Sequence, residues 1–367
     1  MRLVILSDAL APHTRRWARW FALQGHQVDV ISFNAEALEG YAPVRVHKLN
    51  QRAGGGRARR AVKMVTTQLK LRRLLRELRP DVVHAHSVGG YAWAARAARF
   101  TPLVLTPWGT DLLDDIHNSR ANKWFTTDAL RHAQLVTTDG FHFVSLLEDL
   151  GVESDKIEVL IFGTDLQKFQ RRTDPGLKRR LRLGSGPVVI STRTPNPVHD
   201  VATFVRAIPT IAIAVPEAQF VVVGDGTELA TLQMMASDSG VGDRVTFTGM
   251  LEEEQLRDYL DCSDLYVSTS LADAGLAAST AEAMAMELPV IQTLNSDNEY
   301  WTPEGEGGAL FAEGDSDQLA AVACKLLTDS EALARMGARN REKVCAEYDT
   351  DVQMRKMTEL YQAVIDG

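Results

Sequence analysis

The residues whose types and spacing could do chemistry gather between Tyr266 and Thr293, YVSTSLADAGLAASTAEAMAMELPVIQT. A β-branched strand over Leu265–Ser268 is expected to end in small residues from Ala272 to Ala278, with Gly275 among them. Ser279-Thr280-Ala281-Glu282 then opens an Ala/Met-rich helix that stops before Leu288-Pro289. A strand, a loop of nearly bare backbone and a helix N-terminus make a cradle whose N–H groups face an anion. The same residues also have a purely structural reading. Ser279 and Glu282 fit the S-x-x-E capping box, in which the glutamate reaches back to a backbone N–H. Two further loops end strands in small or basic residues, Thr192-Arg193 and Gly224-Asp225-Gly226. Each alone is ordinary turn chemistry. All three in successive units, on one edge of one sheet, point to a phosphate-bearing ligand, and Arg193 at its strand end is either a phosphate contact or a surface salt bridge.

The elements that must position these loops follow from the apolar pattern. Residues 2–7 read as a buried strand, Pro12 to Leu23 as a helix with Trp17, Trp20 and Leu23 on one side, and Val28 to Phe33 as the next strand, a βαβ unit. A basic helix from about Arg57 to Leu78 follows, with Val62, Val65, Leu69 and Leu75 as its apolar side and Leu74 and Leu78 near them. Strands are expected at Asp81–His84, Pro102–Thr106, Leu135–Thr138 and Ile157–Ile161, and an Ala-rich helix after Gly89-Gly90. The pattern restarts with strands at Pro187–Thr192, Gln219–Val223, Val245–Thr248 and Leu265–Ser268, separated by helices near 201–215, 227–237 and 252–260. Helices near 317–328, 330–346 and 349–364 close the chain. Alternating strands and helices with apolar runs imply parallel sheets covered on both faces. The fold class is therefore α/β, with two doubly wound Rossmann-like domains. The C-terminal ends of their strands are expected to face a shared cleft.

Composition agrees with that class. A chain of 367 residues is too long for one ordinary core and fits two domains. Hydrophobic content of 45% and charged content of 24% are those of a globular protein. No run of eighteen apolar residues marks a membrane span, and the aspartate in MRLVILSDALAP reads as part of a first strand, not a signal peptide. Cys262, Cys324 and Cys345 lie far apart without metal-ligand spacing, as expected of reduced thiols in the cytoplasm. The net charge of −8 hides a split: residues 1–170 carry 23 Lys and Arg against 17 Asp and Glu, a net of +6, and the remainder nets −14. Most of the excess lies between Arg52 and Arg79, with ten basic residues and one acid, Glu77. The stretch Arg57–Arg79 fits an anionic membrane surface better than nucleic acid, because it lacks interleaved aromatics for base stacking. A solvated helix face is the plainer reading.

On these residues the chain resembles glycosyltransferase family 4, the retaining, nucleotide-sugar-dependent enzymes with the two-domain GT-B fold. Ala274 to Val290 looks like the family's E-G-x-x-x-x-x-x-E-A-M-A-x-G-x-P-V. Supporting marks are Asp81 to His86, Thr106-Pro107-Trp108-Gly109-Thr110-Asp111, and Gly163-Thr164-Asp165 through Phe169 (family: N-G-V-D-x-x-x-F). Thr192-Arg193, Val223-Gly224-Asp225-Gly226 and Phe247-Thr248-Gly249 follow in the family's order. The resemblance implies an acceptor-side domain over residues 1–166 and a nucleotide-sugar domain over 167–348. It also implies a C-terminal helix, 349–367, that crosses back onto the first domain. Glu282 is implied to bind the nucleotide ribose, backbone N–H groups of Gly275, Leu276, Ala277 and Ala278 to face the diphosphate and sugar, and Arg193 to neutralise the leaving diphosphate. Gly224 and Gly226 are either turn formers or ligand contacts, and base recognition is expected near Gly249 and Met250. His86 and Asp111 are expected on cleft-facing loops as acceptor-side catalytic residues. The plainer alternatives are a buried hydrogen-bonded histidine and an N-cap for a helix beginning near Leu112. No metal and no further cofactor is implied.

The motifs also depart from the family. Ala274 stands where the first motif glutamate is expected, with Asp273 its only acidic neighbour. The family's lysine falls at Val198 or His199, Trp108 replaces a histidine, and Phe162 replaces an asparagine. Three functions therefore stay open: transfer of a sugar to a glycolipid, polysaccharide precursor or small-molecule hydroxyl; a non-catalytic transferase-like subunit or binding module; and a sugar-nucleotide epimerase of the same fold. The base, the sugar, the acceptor and the oligomeric state are not legible in the sequence.

Overall fold

The computed structural model describes residues 1–33, 41–49, 57–108, 110–113, 116, 119–161, 163, 165–172, 174, 176–273 and 275–367, leaving aside the side chains of 57–64, 110 and 113. Ala274 and Phe162, two of the motif departures, lie outside the described residues, as do Arg52, Gly109, Thr164 and the side chains of Arg57, Arg59, Arg60, Val62 and Lys63. The chain divides into two compact units, residues 1–162 with 353–367, and residues 163–352.

The first unit is built on a seven-stranded parallel sheet. Its strands are β1 (Arg2–Leu6), β2 (Gln27–Ser32), β3 (Arg45–Lys48), β4 (Val82–His86), β5 (Leu103–Thr106), β6 (Leu135–Thr138) and β7 (Ile157–Val159), in the spatial order β3-β2-β1-β4-β5-β6-β7. β1, β4, β5 and β6 are buried along their length, apart from Arg2 at the start of β1, as strands covered by helices on both faces are. Those helices are α1 (Pro12–Leu23), α2 (Arg57–Leu78), α3 (Gly90–Ala98), α4 (Thr110–Leu113), α5 (Arg120–His132) and α6 (Phe143–Asp149). On α1, Trp17 and Phe21 are fully buried, but Leu23, expected on the same side, is exposed.

The second unit carries a six-stranded parallel sheet of β8 (Val188–Ser191), β9 (Gln219–Val223), β10 (Val245–Gly249), β11 (Leu265–Ser268), β12 (Val290–Thr293) and β13 (Gly308–Phe311), ordered β10-β9-β8-β11-β12-β13. Its helices are α7 (Leu177–Arg180), α8 (Val201–Ala214), α9 (Leu229–Asp238), α10 (Glu253–Asp261), α11 (Ala278–Ala285), α12 (Asn298–Trp301), α13 (Ser316–Leu327) and α14 (Ser330–Glu347). One core runs from Phe204 and Ile208 of α8 through Phe220, Val267 and Ile291 of the sheet to Leu319 and Ala323 of α13. The last helix, α15 (Thr350–Asp366), lays Met354, Met357 and Tyr361 into the core of the first unit beside Leu3, Phe21 and Leu160.

The apolar side of α2 differs from the sequence expectation. Val65 and Leu69 are 56% and 58% exposed, and the buried side is Leu71 and Leu75, flanked by Leu74 and Leu78. The spacing 71, 74, 75, 78 is a single helical stripe, whereas 65, 69 and 75 do not share one. Among the described residues no helix is long and apolar enough to cross a membrane.

Candidate active site

Both sheets reverse their direction of growth beside their first strand, and such a switch point opens a crevice at the C-terminal strand ends. In the second unit the switch lies between β8 and β11, which pair in parallel through Val189 with Leu265 and Ile190 with Tyr266. Arg193 leaves the end of β8, and Ser270 and Asp273 leave the end of β11, so strand order brings them together.

Arg193 is 7% exposed, yet it carries a full positive charge. Its Nη2 donates to Asp273 Oδ1 at 2.5 Å and to Ser270 Oγ at 3.1 Å, and its Nη1 donates to Ser279 Oγ at 3.2 Å. Its Nε is buried without a hydrogen-bond partner among the described residues. A buried donor left unmade costs about 1–3 kcal/mol, more when it is charged. The group is therefore built to meet an acceptor.

The helix on the other side of this cluster, α11, begins at Ala278 with Ala277 as its N-cap, and no side chain caps it. This corrects the capping-box reading. Ser279 is the second helical residue, its hydroxyl turns to Arg193, and Glu282 lies a further turn into the helix. Residues three apart share a helix face, so half-buried Glu282 stands below Ser279 on the side that looks toward Arg193. Gly275 is buried with φ of 117°, a conformation that favours glycine, and Leu276 is buried behind it with its carbonyl accepting from the Tyr348 hydroxyl. Ala277 is half-buried and Ala278 exposed at the helix start.

His199 belongs to the same cluster. Its Nδ1 donates to the Thr194 carbonyl at 2.8 Å, which leaves Nε2 as an acceptor. Burial first, and then the Arg193 charge, lowers its pKa, so it is neutral at pH 7 and supplies no second cation. Gly224 and Gly226 support the loop that bears Arg193. A Cβ at Gly226 would lie 2.1 Å from the Pro195 carbonyl oxygen, and one at Gly224 would lie 3.1 Å from the Pro195 ring. Gly249 closes the neighbouring turn by accepting from the Gly224 N–H at 2.9 Å, and Met250 beside it is 72% exposed.

In the first unit the switch lies between β1 and β4. His86, expected on a loop, is instead the last residue of β4 and fully buried, 5.0 Å from the Trp17 ring and 4.5 Å from His84 between ring centres. Burial, with a lesser effect from His13, pushes its pKa down to about 3. Asp111 does not cap a helix starting near Leu112; it sits inside the short α4. Its carboxylate accepts from the Val88 N–H at 2.7 Å and the Trp108 N–H at 2.9 Å, tying the loop after β4 to the loop after β5. Burial raises its pKa against the pull of those bonds. Among the described residues no three or more His, Cys, Asp or Glu side chains converge as a metal site.

The sequence reading missed Ser270 and Ser279 as partners of Arg193, and it noted Asp273 only as an acidic neighbour of Ala274. The available signal was topological: residues just after two strands that flank a switch point must converge.

Two parallel-sheet Rossmann-like units, the second with a buried arginine and a helix N-terminus at its switch point, have the fold of GT-B glycosyltransferases. Residues 186–329 match a family described as glycosyl transferases group 1, and residues 9–163 match a glycosyl transferase 4-like domain. The two matches take up most of the chain, which belongs to the family 4-like glycosyltransferases. Among curated relatives, a GDP-mannose-dependent alpha-(1-6)-phosphatidylinositol monomannoside mannosyltransferase of Mycobacterium tuberculosis is 33% identical over 214 residues, 55% of each chain. The chain thus spans about half the length of that relative. An N-acetyl-alpha-D-glucosaminyl L-malate synthase of Bacillus anthracis is 25% identical over 292 residues, 78% of this chain and 75% of the relative. Among solved structures, Anabaena HepE in complex with UDP superposes with a TM-score of 0.83 at 19% identity, covering 99% of this chain and 100% of that one. A glycosyltransferase from Rickettsia africae reaches 0.84 at 16% identity, covering 100% and 99%.

Proposed function

We propose that this chain is a retaining glycosyltransferase that moves a sugar from a nucleoside diphosphate to a hydroxyl acceptor. The bond from the anomeric carbon to the diphosphate breaks, a bond to the acceptor oxygen forms on the same face, and the acceptor's proton leaves with the diphosphate. The observation that carries the reading is Arg193, a buried guanidinium at a switch point with a donor still unmade. The departing diphosphate gains charge on the oxygen that was bonded to the anomeric carbon, and a fixed cation stabilises that charge most where water is excluded. The uncapped first turn of α11 adds backbone N–H donors, so the reading requires no metal. Glu282 would hold the ribose hydroxyls, and Met250 with the Gly249 backbone would meet the base. His86 and Asp111 would act by holding the acceptor-side loops, since both are buried. The names of the relatives include a lipid-linked and a small-molecule acceptor, and both classes are candidates here.

The reading is tested by titrating the protein with UDP-, GDP- and ADP-sugars and following transfer to glycolipid and small hydroxyl acceptors. Glu282→Ala should weaken binding of the active donor by roughly 1–3 kcal/mol with little loss of thermal stability. Binding of no nucleotide sugar would sink the enzyme reading. Binding without turnover would favour a binding module, and product formed without acceptor an epimerase.

A lipid acceptor would sit at a membrane, and α2 favours docking on an anionic membrane surface. Lys70, Arg72, Arg73 and Arg76 are exposed along it beside the exposed apolar side chains Val65 and Leu69. Cations with apolar neighbours on one helix suit an anionic lipid interface. Co-sedimentation with phosphatidylglycerol vesicles that weakens as salt rises from 0.1 to 0.5 M, and weakens further in Arg72→Glu/Arg73→Glu, is the expected result. No sedimentation at low salt would refute it.

A further inference from the structure

We propose that Asp273 is an internal anion that holds Arg193 until a diphosphate displaces it, so that donor binding is an exchange of anions. The proposal rests on the nucleotide-sugar reading of this site.

The geometry of the guanidinium carries the argument. Nε–H and the neighbouring Nη2–H point the same way and form a fork that matches two oxygens of one carboxylate or phosphate. Asp273 engages at most half of that fork: its Oδ1 lies 2.5 Å from Nη2, which it shares with Ser270, while Nε beside it is buried without a partner among the described residues. Ser270 and Ser279, the other partners of Arg193, are neutral hydroxyls, and the Ser270 hydroxyl itself donates to the Ala272 carbonyl. Asp273 is thus the one anion paired with Arg193 among the described residues. Its carboxylate also sits where it opposes the ligand the site would bind. While the pair stands, the nearest fixed charges cancel, and a diphosphate entering beside an ionised carboxylate meets repulsion strengthened by burial. A phosphate that takes both Nε and Nη2 satisfies the orphaned donor and releases the carboxylate. The backbone around Asp273 can stay in place during this change, because its carbonyl is fixed by the Ser296 hydroxyl at 2.7 Å and only the side chain must turn. Both carboxylate and guanidinium are largely buried, so breaking the pair without a replacement anion destabilises the protein.

Exchange predicts effects of opposite sign on stability and on affinity. Asp273→Asn should lower the melting temperature of the free protein and yet bind pyrophosphate, UDP and GDP roughly tenfold more tightly by calorimetry. In an Arg193→Lys background, which loses the fork but keeps the charge, the same substitution should raise pyrophosphate affinity by clearly less than it does beside Arg193. Should Asp273→Asn not fold, Asp273→Ser removes the charge and is read in the same way. Binding that is unchanged or weaker in a folded Asp273 variant, with wild-type binding intact, would mean that the carboxylate stays to orient Arg193, and would overturn the exchange alone. Failure of wild type and variant alike to bind any of the three ligands would overturn the nucleotide-sugar reading and the exchange with it.

Discussion

At the scale of single residues, what was legible depended on whether a role follows from the residue's own neighbours in sequence. Arg193 was legible because an arginine just past a buried strand sits at a sheet edge where ligands bind. Its partner was not, because Asp273 lies 80 residues away and pairs with it only through the order of β8 and β11. His86 shows the opposite limit. Its motif position suggested a reacting group, but full burial among Trp17, His84 and Trp108 makes it a neutral ring. That burial has a measurable consequence. The folded pKa of His86 is about 3 against an ordinary 6.5, and His84 is lowered in the same direction, chiefly by burial. The unfolded chain therefore binds more protons than the native one below about pH 6.5, so stability falls with acidification through that window. Each such proton contributes up to about 1.4 kcal/mol per pH unit. Urea midpoints between pH 7 and pH 5 should fall with pH, and His86→Leu should flatten the slope if it folds. An equal slope in that variant would assign the acid sensitivity elsewhere.

At the scale of elements, long periodic stretches were read correctly and short or polar ones were not. The first four strands of the second sheet in chain order, β8 to β11, are rich in β-branched and aromatic residues, and their positions agree with expectation to within a residue. β3 was missed because Arg45–Lys48 holds a single aliphatic residue on a sheet edge, where burial imposes no pattern. β13 was missed because Gly308–Phe311 follows a run of glycines and acids that reads as a loop. α5 escaped notice although a signal was present: Ser119 accepts from the Asn122 N–H at 3.0 Å as an N-cap. α11 was found but begun one residue late. Ser279 and Glu282 have the types of a capping box, and tertiary structure overrode that local preference by giving the Ser279 hydroxyl to Arg193. A polar group withdrawn from a cap to serve a buried cation is the kind of local inconsistency expected where a site is built.

At the scale of the whole molecule, the repeated architecture is legible because each unit repeats the same strand–helix rhythm, while the return of the chain's end to the first unit is implied only by the family resemblance and has its physical reason in packing. From Gln353 onward the chain belongs to the unit begun by Met1. The reasons are specific. Met354, Met357 and Tyr361 are fully buried in that unit's core, and Gln353 Oε1 accepts from the Ile161 N–H at 3.1 Å. The Tyr361 hydroxyl is hydrogen-bonded to His84 Nδ1 at 2.6 Å, and His84 Nε2 to Thr106 Oγ1 at 2.5 Å. A buried polar chain of this kind leaves donors and acceptors stranded if either end is removed. Ending the chain after Val352 would strip three core side chains, each worth about 2–5 kcal/mol. That total rivals the roughly 5–15 kcal/mol that keeps a domain folded. The truncated protein should therefore lose its first unit and keep its second. Limited proteolysis should cut within residues 1–162 while a fragment spanning 163–352 survives, and that fragment should still bind nucleoside diphosphate, because Arg193, Asp273, α11 and Glu282 all lie within it. A first unit as protease-resistant as in the full chain would show that the terminal helix is dispensable. Loss of both units together would show that they fold as one cooperative body.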